Sequence, residues 1–245
     1  MRRVLVLGGT REARDLAALL HADPAVSVVS SLAGRVREPV LPVGEVRVGG
    51  FGGRDALAEW MRGNRIDAVV DATHPFATRI TANAAWACAR AGAALLVLRR
   101  PEWVAGEGDR WHAVRDLAEA AREVPALGRR VFLTIGRQGV DAFAGAPGRY
   151  LVRAIDPPEV AMPAEATLLL DRGPFTLESE IALMREHRIE VLVTKNSGGA
   201  LTSAKLGAAR ELGVPVLMVA RTPVPPGVAS TSDPTAAARW ASGVA

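Results

Sequence analysis

The sequence predicts an α/β protein of two similar domains, each a mostly parallel sheet with helices on both faces. Three observations predict it. Short, branched, uniformly apolar runs, such as V-L-V-L at 4–7 and V-L-V at 191–193, read as strands buried on both faces. These runs alternate with segments of helical spacing, the pattern that builds a parallel sheet. The whole pattern then restarts after residue 110.

Residues 2–7 form the first strand and end in Gly8-Gly9-Thr10. Ala13, Leu16, Ala17, Leu19 and Leu20 then recur at helical spacing. Residues 25–31 read as a second strand, and a looser region with Pro39, Pro42 and G-G-F-G-G at 49–53 comes next. A helix at 55–62, a strand at 66–72 running into T-H-P-F, a helix at 77–91 and a strand at 95–98 complete a first domain, 1–101. Residues 102–110 are polar and Gly-rich and read as a linker.

The second domain, 111–228, opens with a helix at 115–123. A strand at 131–135 ends in Gly136-Arg137-Gln138, and 149–154 and 167–170 are short strands. A helix at 177–186, a strand at 189–194, a helix at 200–212 and a strand at 214–219 lead to a proline-rich turn at 222–228. In the last segment, 229–245, Ser232-Asp233-Pro234 starts a short helix at 235–241, with a capping side chain and proline in the first turn.

The halves echo each other. I-D-A-V-V-D-A-T-H-P-F-A at 66–77 matches I-E-V-L-V-T-K-N-S-G-G-A at 189–200, and V-L-V-L-G-G-T-R matches V-F-L-T-I-G-R. Ligands of such sheets lie outside the carboxyl ends of the strands. Two such domains are therefore expected to place a ligand cleft between their loops.

Composition narrows the function classes. With 49% apolar and 23% charged residues among 245, the chain is globular, and no apolar run is long enough to span a bilayer. The N-terminal apolar stretch is too short for a signal peptide, so a cytoplasmic protein is expected. Cys88 is the single cysteine, which excludes an internal disulfide and a thiolate metal cluster. The net charge of +4 does not imply nucleic acid, because basic residues are scattered and aromatics make up only 4%. An acidic small molecule accounts for the balance equally well. Only Lys195 and Lys205 among the 30 basic residues are lysine, and they flank one loop, K-N-S-G-G at 195–199. Its partner is a cofactor phosphate, a substrate carboxylate, or no ligand at all if it is a plain turn.

G-G-T-R-E-A at 8–13 comes after a strand and opens a helix, where backbone N–H groups and the helix dipole receive a pyrophosphate. Its glycines are adjacent and Ala13 takes the third place of the G-x-G-x-x-G pattern, so a tight turn or another ligand stays open. The second strand ends in S-S-L-A-G-R-V-R, with no acid before Glu38. If a dinucleotide binds, this end favours NADPH over NADH; otherwise it is a solvated basic loop. His74 in D-A-T-H-P-F can bond a ligand, donate a proton, or cap the following helix. No H-E-x-x-H, carboxylate cluster or G-x-S-x-G is present, so no metal site or hydrolase is expected.

Together V-L-V-L-G-G-T-R-E-A, V-V-D-A-T-H-P-F-A, L-R-R-P-E-W, T-I-G-R-Q, V-T-K-N-S-G-G and the later K-L-x-A-A-R-E-L-G-V-P-V resemble the precorrin-6A reductase and cobalt-precorrin-6A reductase family of corrin-ring (vitamin B12) biosynthesis. The resemblance implies two Rossmann-like domains and NADPH-dependent reduction of a macrocycle double bond by direct hydride transfer, turning precorrin-6A into precorrin-6B. It assigns Gly8, Gly9, Thr10, Arg11 and Glu12 to the cofactor pyrophosphate. Ser31, Gly34 and Arg35 go to the adenosine ribose and its phosphate, and Thr73 and His74 to the nicotinamide end. Gly136, Arg137, Lys195, Asn196, Ser197 and Gly198 are expected to hold substrate carboxylates or the nicotinamide-side ribose. His74 and Lys195 are the candidate catalytic residues. The expected small molecule is precorrin-6A or cobalt-precorrin-6A, with no nucleic-acid or membrane partner and a monomer or weak homo-oligomer. The alternative is a cofactor-independent lyase or synthase that folds a tetrapyrrole in the same cleft.

Overall fold

The structure, a computed structural model, describes residues 1–34 and 38–243. Its chain divides into two compact units, Met1–Pro101 with Thr222–Ala245, and Glu102–Arg221.

The first unit runs β1 (Arg2–Leu7), α1 (Arg11–His21), β2 (Val26–Leu32), β3 (Glu45–Val48), α2 (Arg54–Gly63), β4 (Ala68–Asp71), α3 (Thr78–Ala91) and β5 (Ala94–Leu98). The second holds β6 (Trp111–Val114), α4 (Leu117–Leu127), β7 (Arg130–Thr134), β8 (Arg149–Ala154), β9 (Glu165–Leu170), α5 (Leu177–Glu186), β10 (Val191–Lys195), α6 (Ala204–Leu212) and β11 (Val216–Val219). The chain then returns to the first unit with β12 (Ala229–Thr231) and α7 (Pro234–Ser242). Among the described residues each unit has one six-stranded sheet, ordered β3-β2-β1-β4-β5-β12 and β9-β8-β7-β10-β11-β6. All the pairings are parallel. Both sheets therefore have the Rossmann-like strand order, which reverses between β1 and β4 in one unit and between β7 and β10 in the other.

The alternation of side chains explains why the central strands read as continuous apolar runs. Val4 and Val6 point to the face covered by Leu16 and Leu20 of α1 and Ala237 and Ala241 of α7. Leu5 and Leu7 point to the opposite face, under Leu57 and Met61 of α2 and Ala84 and Ala87 of α3. A strand covered on both faces has no polar side to alternate with. In the second unit Phe132, Leu192 and Met218 pack under Met184, Leu206 and Ala209.

Three strands escape the sequence pattern, and all are at a sheet edge. β3, β6 and β12 are only three or four residues long and partly exposed, so none of them shows a continuous apolar run. The unit boundaries also differ from the expected 111–228 domain and separate 229–245 helix. The second unit ends at Arg221, and the last strand and helix complete the first unit. The expected linker 102–110 belongs to the second unit, where Trp103 donates its backbone N–H to Asn196 Oδ1 (2.9 Å) and its indole N–H to Gly199 O (2.9 Å). Helix 200–212 begins later than expected, at Ala204, because Ser203 turns back on Ala200 O. No helix among the described residues is long and apolar enough to cross a membrane.

The closing helix is thus part of the first core, and a charge placed there should unfold that unit. Ala237→Asp buries a carboxylate without a partner and is expected to cost at least about 3 kcal/mol. Hydrogen exchange should show lost protection in β1, β4 and β5, with β7 and β10 unaffected. Retained protection of β1 and β4 would make α7 an appendage.

Candidate functional site

The first glycine loop sits where the first strand order reverses. Gly8 N–H donates to Ser31 O (2.9 Å), which joins the loop to the end of β2. A Cβ on Gly8 would lie 3.4 Å from Leu32 Cδ2 and 3.5 Å from Ala13 Cβ, so a side chain would fill this crevice. Gly9 has φ +115, a conformation open to glycine, with no atom within 4 Å of its would-be Cβ. Thr10 caps α1: its hydroxyl accepts from Ala13 N–H (3.1 Å) and donates to Ala72 O beyond β4 (2.7 Å). The other N–H groups of the first turn have no acceptor within the helix, and the positive end of its dipole faces the loop. Glycine without side chains, an open approach and a helix N-terminus together fit a dinucleotide pyrophosphate. Glu12, expected beside that pyrophosphate, is in an ion pair with Arg100 at 3.2 Å, which offsets its charge. Arg11 lies 3.7 Å from Asp15 on the exposed side of the helix.

The loop after β4 is built around a buried carboxylate. Asp71 Oδ1 accepts from Thr73 N–H (3.0 Å) and Thr73 Oγ1 (2.6 Å), and Oδ2 accepts from Thr81 Oγ1 (2.6 Å) on α3. Thr73 is thereby turned back onto its own strand. His74 stands exposed at the loop, and its Nδ1 accepts from Phe76 N–H (3.3 Å), which orients the ring as part of a turn. Burial, with the charge of Asp71 second, pushes the Cys88 thiol up to about 12, so this single cysteine is no nucleophile.

In the second unit the corresponding loops are tied by Lys195, at the end of β10. Its ammonium donates to Ile135 O (2.8 Å) and Gln138 O (3.5 Å), clasping the turn that carries Gly136 (φ +76) and Arg137. Burial holds its pKa below the ordinary lysine value. Beyond this turn the chain forms a single 3₁₀ turn, Val140–Phe143, in place of a long helix like α1. The second unit therefore lacks at this position the helix N-terminus that the first unit offers.

Asn196 is buried, and its amide is committed to the protein. Oδ1 accepts from Trp103 N–H, while Nδ2 donates to Trp103 O (3.1 Å) and Glu102 Oε2 (3.3 Å). Arg221 Nε donates to Asn196 O (2.5 Å) from the end of the unit. Gly198 is buried in the same loop, and Ser197 is half-buried with its N–H on Lys195 O (2.6 Å). The second lysine, Lys205, is buried with its ammonium 5.0 Å from the Trp103 ring centre, and donates to Thr202 O (2.9 Å). The clustered lysines thus fasten loops of this unit. Arg137 lies 3.3 Å from the exposed Glu159.

Gly34 closes the turn after β2, and Arg35 lies outside the described residues. The basic group found at this end of the sheet is Arg47, absent from the residues expected from sequence because E-V-R-V at 45–48 is an alternation of only four residues inside the loose region before G-G-F-G-G. Arg47 pairs with Ser31 in the β2–β3 register, and its Nη1 reaches Ser31 Oγ at 3.4 Å. Reading 45–48 as a strand is the step that would bring the two together. Arg100, Trp103 and Arg221 also give no signal as individual site residues, because their partners come from distant segments. No group of three or more His, Cys, Asp or Glu among the described residues could hold a metal ion.

Thr10→Val removes the link between the helix cap and β4. It is expected to lower unfolding stability by about 1–2 kcal/mol, with Thr10→Ser restoring most of the loss. An unchanged denaturation midpoint would show that this hydroxyl contributes nothing.

Comparison with known proteins fits this arrangement. The family described as "Precorrin-6x reductase CbiJ/CobK" matches residues 3–242. A "Precorrin-6A reductase" of Rhodococcus erythropolis is 62% identical over 241 residues, covering 98% of this chain and 97% of the relative. Another of that name, from Mycobacterium tuberculosis, is 52% identical over 246 residues, covering 100% and 99%. The solved structure "CobK precorrin-6A reductase" superposes with a TM-score of 0.90 at 43% identity, covering 100% of this chain and 97% of that one. The chain belongs to the precorrin-6x reductase CbiJ/CobK family.

Proposed function

We propose that this chain reduces precorrin-6A to precorrin-6B with NADPH as the hydride donor. The observation that carries the cofactor assignment is the β1–α1 loop, where Gly8, Gly9 and the Thr10-capped helix meet at the strand-order reversal. The names of the relatives support the substrate. NADPH, when bound, supplies a hydride to one carbon of a macrocycle double bond, and a proton completes the reduction at the other carbon.

The chain's own groups then divide the work. Gly8, Gly9, Thr10 and Arg11 receive the pyrophosphate, and Glu12 with Arg100 keeps the loop near neutral. Ser31 and Gly34 border the adenosine ribose, with Arg35 as a further contact. Thr73 shapes the loop that presents His74 toward the nicotinamide end. Arg137, Ser197 and the backbone at Gly136 and Gly198 receive the carboxylates of the macrocycle. Lys195 and Asn196 act mainly by fixing these loops, since their polar groups already bond Ile135, Gln138, Trp103 and Glu102. Positioning of this kind carries much of the rate when the hydride chemistry belongs to the cofactor. The lowered pKa of Lys195 makes its proton easier to release than that of an ordinary lysine, and His74 is the second group able to exchange one. The site is expected in the cytoplasm, on a monomer or weak homo-oligomer.

NADPH fluorescence should change on titration with the protein, and adding precorrin-6A should drive NADPH oxidation. A parallel assay with cobalt-precorrin-6A identifies the preferred ring. Absence of NADPH binding up to millimolar concentration would favour the cofactor-independent lyase or synthase instead. Lys195→Ala should lower substrate turnover by about tenfold or more while changing NADPH affinity little, the size expected when charge-assisted bonds are lost. A larger effect on NADPH affinity would move that loop to the cofactor.

A further inference from the structure

We propose that Arg47 is the residue by which this chain recognises the 2′-phosphate of its dinucleotide, and so the determinant of its preference for NADPH over NADH. The inference rests on the dinucleotide reading of the β1–α1 loop and adds a specificity residue to it.

Position is the first support. In a sheet of this order the adenosine ribose lies across the carboxyl end of the second strand, and an acidic side chain there selects the unphosphorylated cofactor. β2 ends in Ser30, Ser31 and Leu32, followed by Ala33 and Gly34, with no acid. Ser31 O holds the N–H of Gly8, so this strand end is joined to the pyrophosphate loop. On its other side Ser31 pairs with Arg47 in the parallel register, and in such a pair the two side chains share a face of the sheet. The guanidinium thus stands beside the strand end where the ribose is expected.

The chemistry of its surroundings points the same way. Arg47 is half-buried, and the neighbours it bonds are all neutral. Nη1 donates to Gly49 O (2.5 Å), Nη2 to Gly50 O (2.7 Å), and the planar face lies 3.9 Å from the Phe51 ring centre. No carboxylate among the described residues forms an ion pair with it. Arg100 and Arg153 are matched by Glu12 and Glu180, whereas the half-buried Arg14 and Arg99 bond the carbonyls of Thr10 and Thr222, so it is the place of Arg47 at the strand end that sets it apart. Partial burial without a counter-charge leaves a positive group that an anion would stabilise. A guanidinium has five donors, so these contacts fix its plane while leaving donors for a phosphate oxygen. The G-G-F-G-G segment, with Gly49 N–H on Leu32 O (2.8 Å), is what holds the fork in place.

Binding of NADPH, NADH, 2′,5′-ADP and 5′-AMP to the full chain, measured by titration calorimetry, tests this without an activity assay. Arg47→Gln is expected to weaken NADPH and 2′,5′-ADP by roughly 10- to 100-fold while leaving NADH and 5′-AMP within about twofold. Arg47→Lys, which keeps the charge and loses the fork, should fall between wild type and Arg47→Gln, and it serves as the readout if the glutamine variant does not fold. Equal weakening of NADPH and NADH would reduce Arg47 to a brace for the glycine segment and overturn the proposal. So would an unchanged NADPH-to-NADH ratio. A wild-type chain that binds neither dinucleotide would overturn the dinucleotide reading itself, a result separable from either failure at Arg47.

Discussion

Both sheets reverse their strand order between two central parallel strands, and everything proposed for this chain depends on how the loops at that reversal are held. Loops leaving two neighbouring strands there go to opposite faces of the sheet, and in the first unit the strand ladder ends with the Ala72 N–H on Leu7 O (2.9 Å), so a side chain has to tie the loops beyond it. One side chain supplies the tie in each unit. In the first it is the Thr10 hydroxyl, which joins the cap of α1 to Ala72 O beyond β4. In the second it is the Lys195 ammonium, which joins the end of β10 to Ile135 O beyond β7. The two ties run in opposite senses. A short hydroxyl on the helix side leaves the backbone N–H groups of α1 to face outward. A long ammonium from the other strand closes over the turn at Gly136.

The architecture also shows an exchange that neither half could make alone. After its fifth strand each half continues with a short strand and a helix that starts at a capping aspartate. Asp116 accepts from Glu119 N–H, and Asp233 from Thr235 N–H (both 2.8 Å). Six residues beyond each aspartate is an arginine, Arg122 or Arg239, and Ala120 and Ala237 occupy the same buried place in their helices. Yet the pair after β5 enters the second sheet, beside β11, while the pair after β11 enters the first, beside β5. Each sheet therefore takes its sixth strand from the other half of the sequence repeat. The chain passes between the units twice, and the first unit can be completed only after the second has been made.

The central strands are legible in the sequence because burial on both faces leaves 4–7 and 191–193 with no polar positions. The reversal loops are legible for a related reason: a strand that stops abruptly at Gly8 or Gly136 has its turn marked by glycine. The features hidden from sequence all depend on pairing. β3 is short, so the alternation of E-V-R-V spans only four residues between Pro42 and the glycines and is easily passed over, and with it goes the register that sets Arg47 beside Ser31. The exchanged strand–helix pair is hidden because the echo between 111–122 and 229–239 says which segments are alike, never which sheet they join. The lysines stand out by composition, but composition does not say what they bond. Lys195 bonds carbonyls of the Gly136 turn, and Lys205 packs on Trp103, a residue of the expected linker. Side chains that bind the protein and side chains that bind a ligand have the same composition.

The echo between V-L-V-L-G-G-T-R and V-F-L-T-I-G-R makes the two halves look equally able to receive a dinucleotide. The structure separates them by a local difference in chain length. After Gly9 the chain enters α1 at once, and eleven residues of helix stand behind the loop. After Gly136 it passes through Arg137 and Gln138 to a four-residue 3₁₀ turn, too short to build a dipole of similar size. The second loop has the glycine, but not the helix that makes glycine useful to a phosphate. A half-buried arginine, Arg137, occupies the turn instead, which Lys195 braces from behind. A guanidinium on a fixed turn suits the scattered carboxylates of a large acidic ring, whereas the uncovered helix N-terminus suits the compact charge of a pyrophosphate. Two loops of one pattern thus differ by one helix, and the proposed function turns that difference into a preference for two kinds of anion.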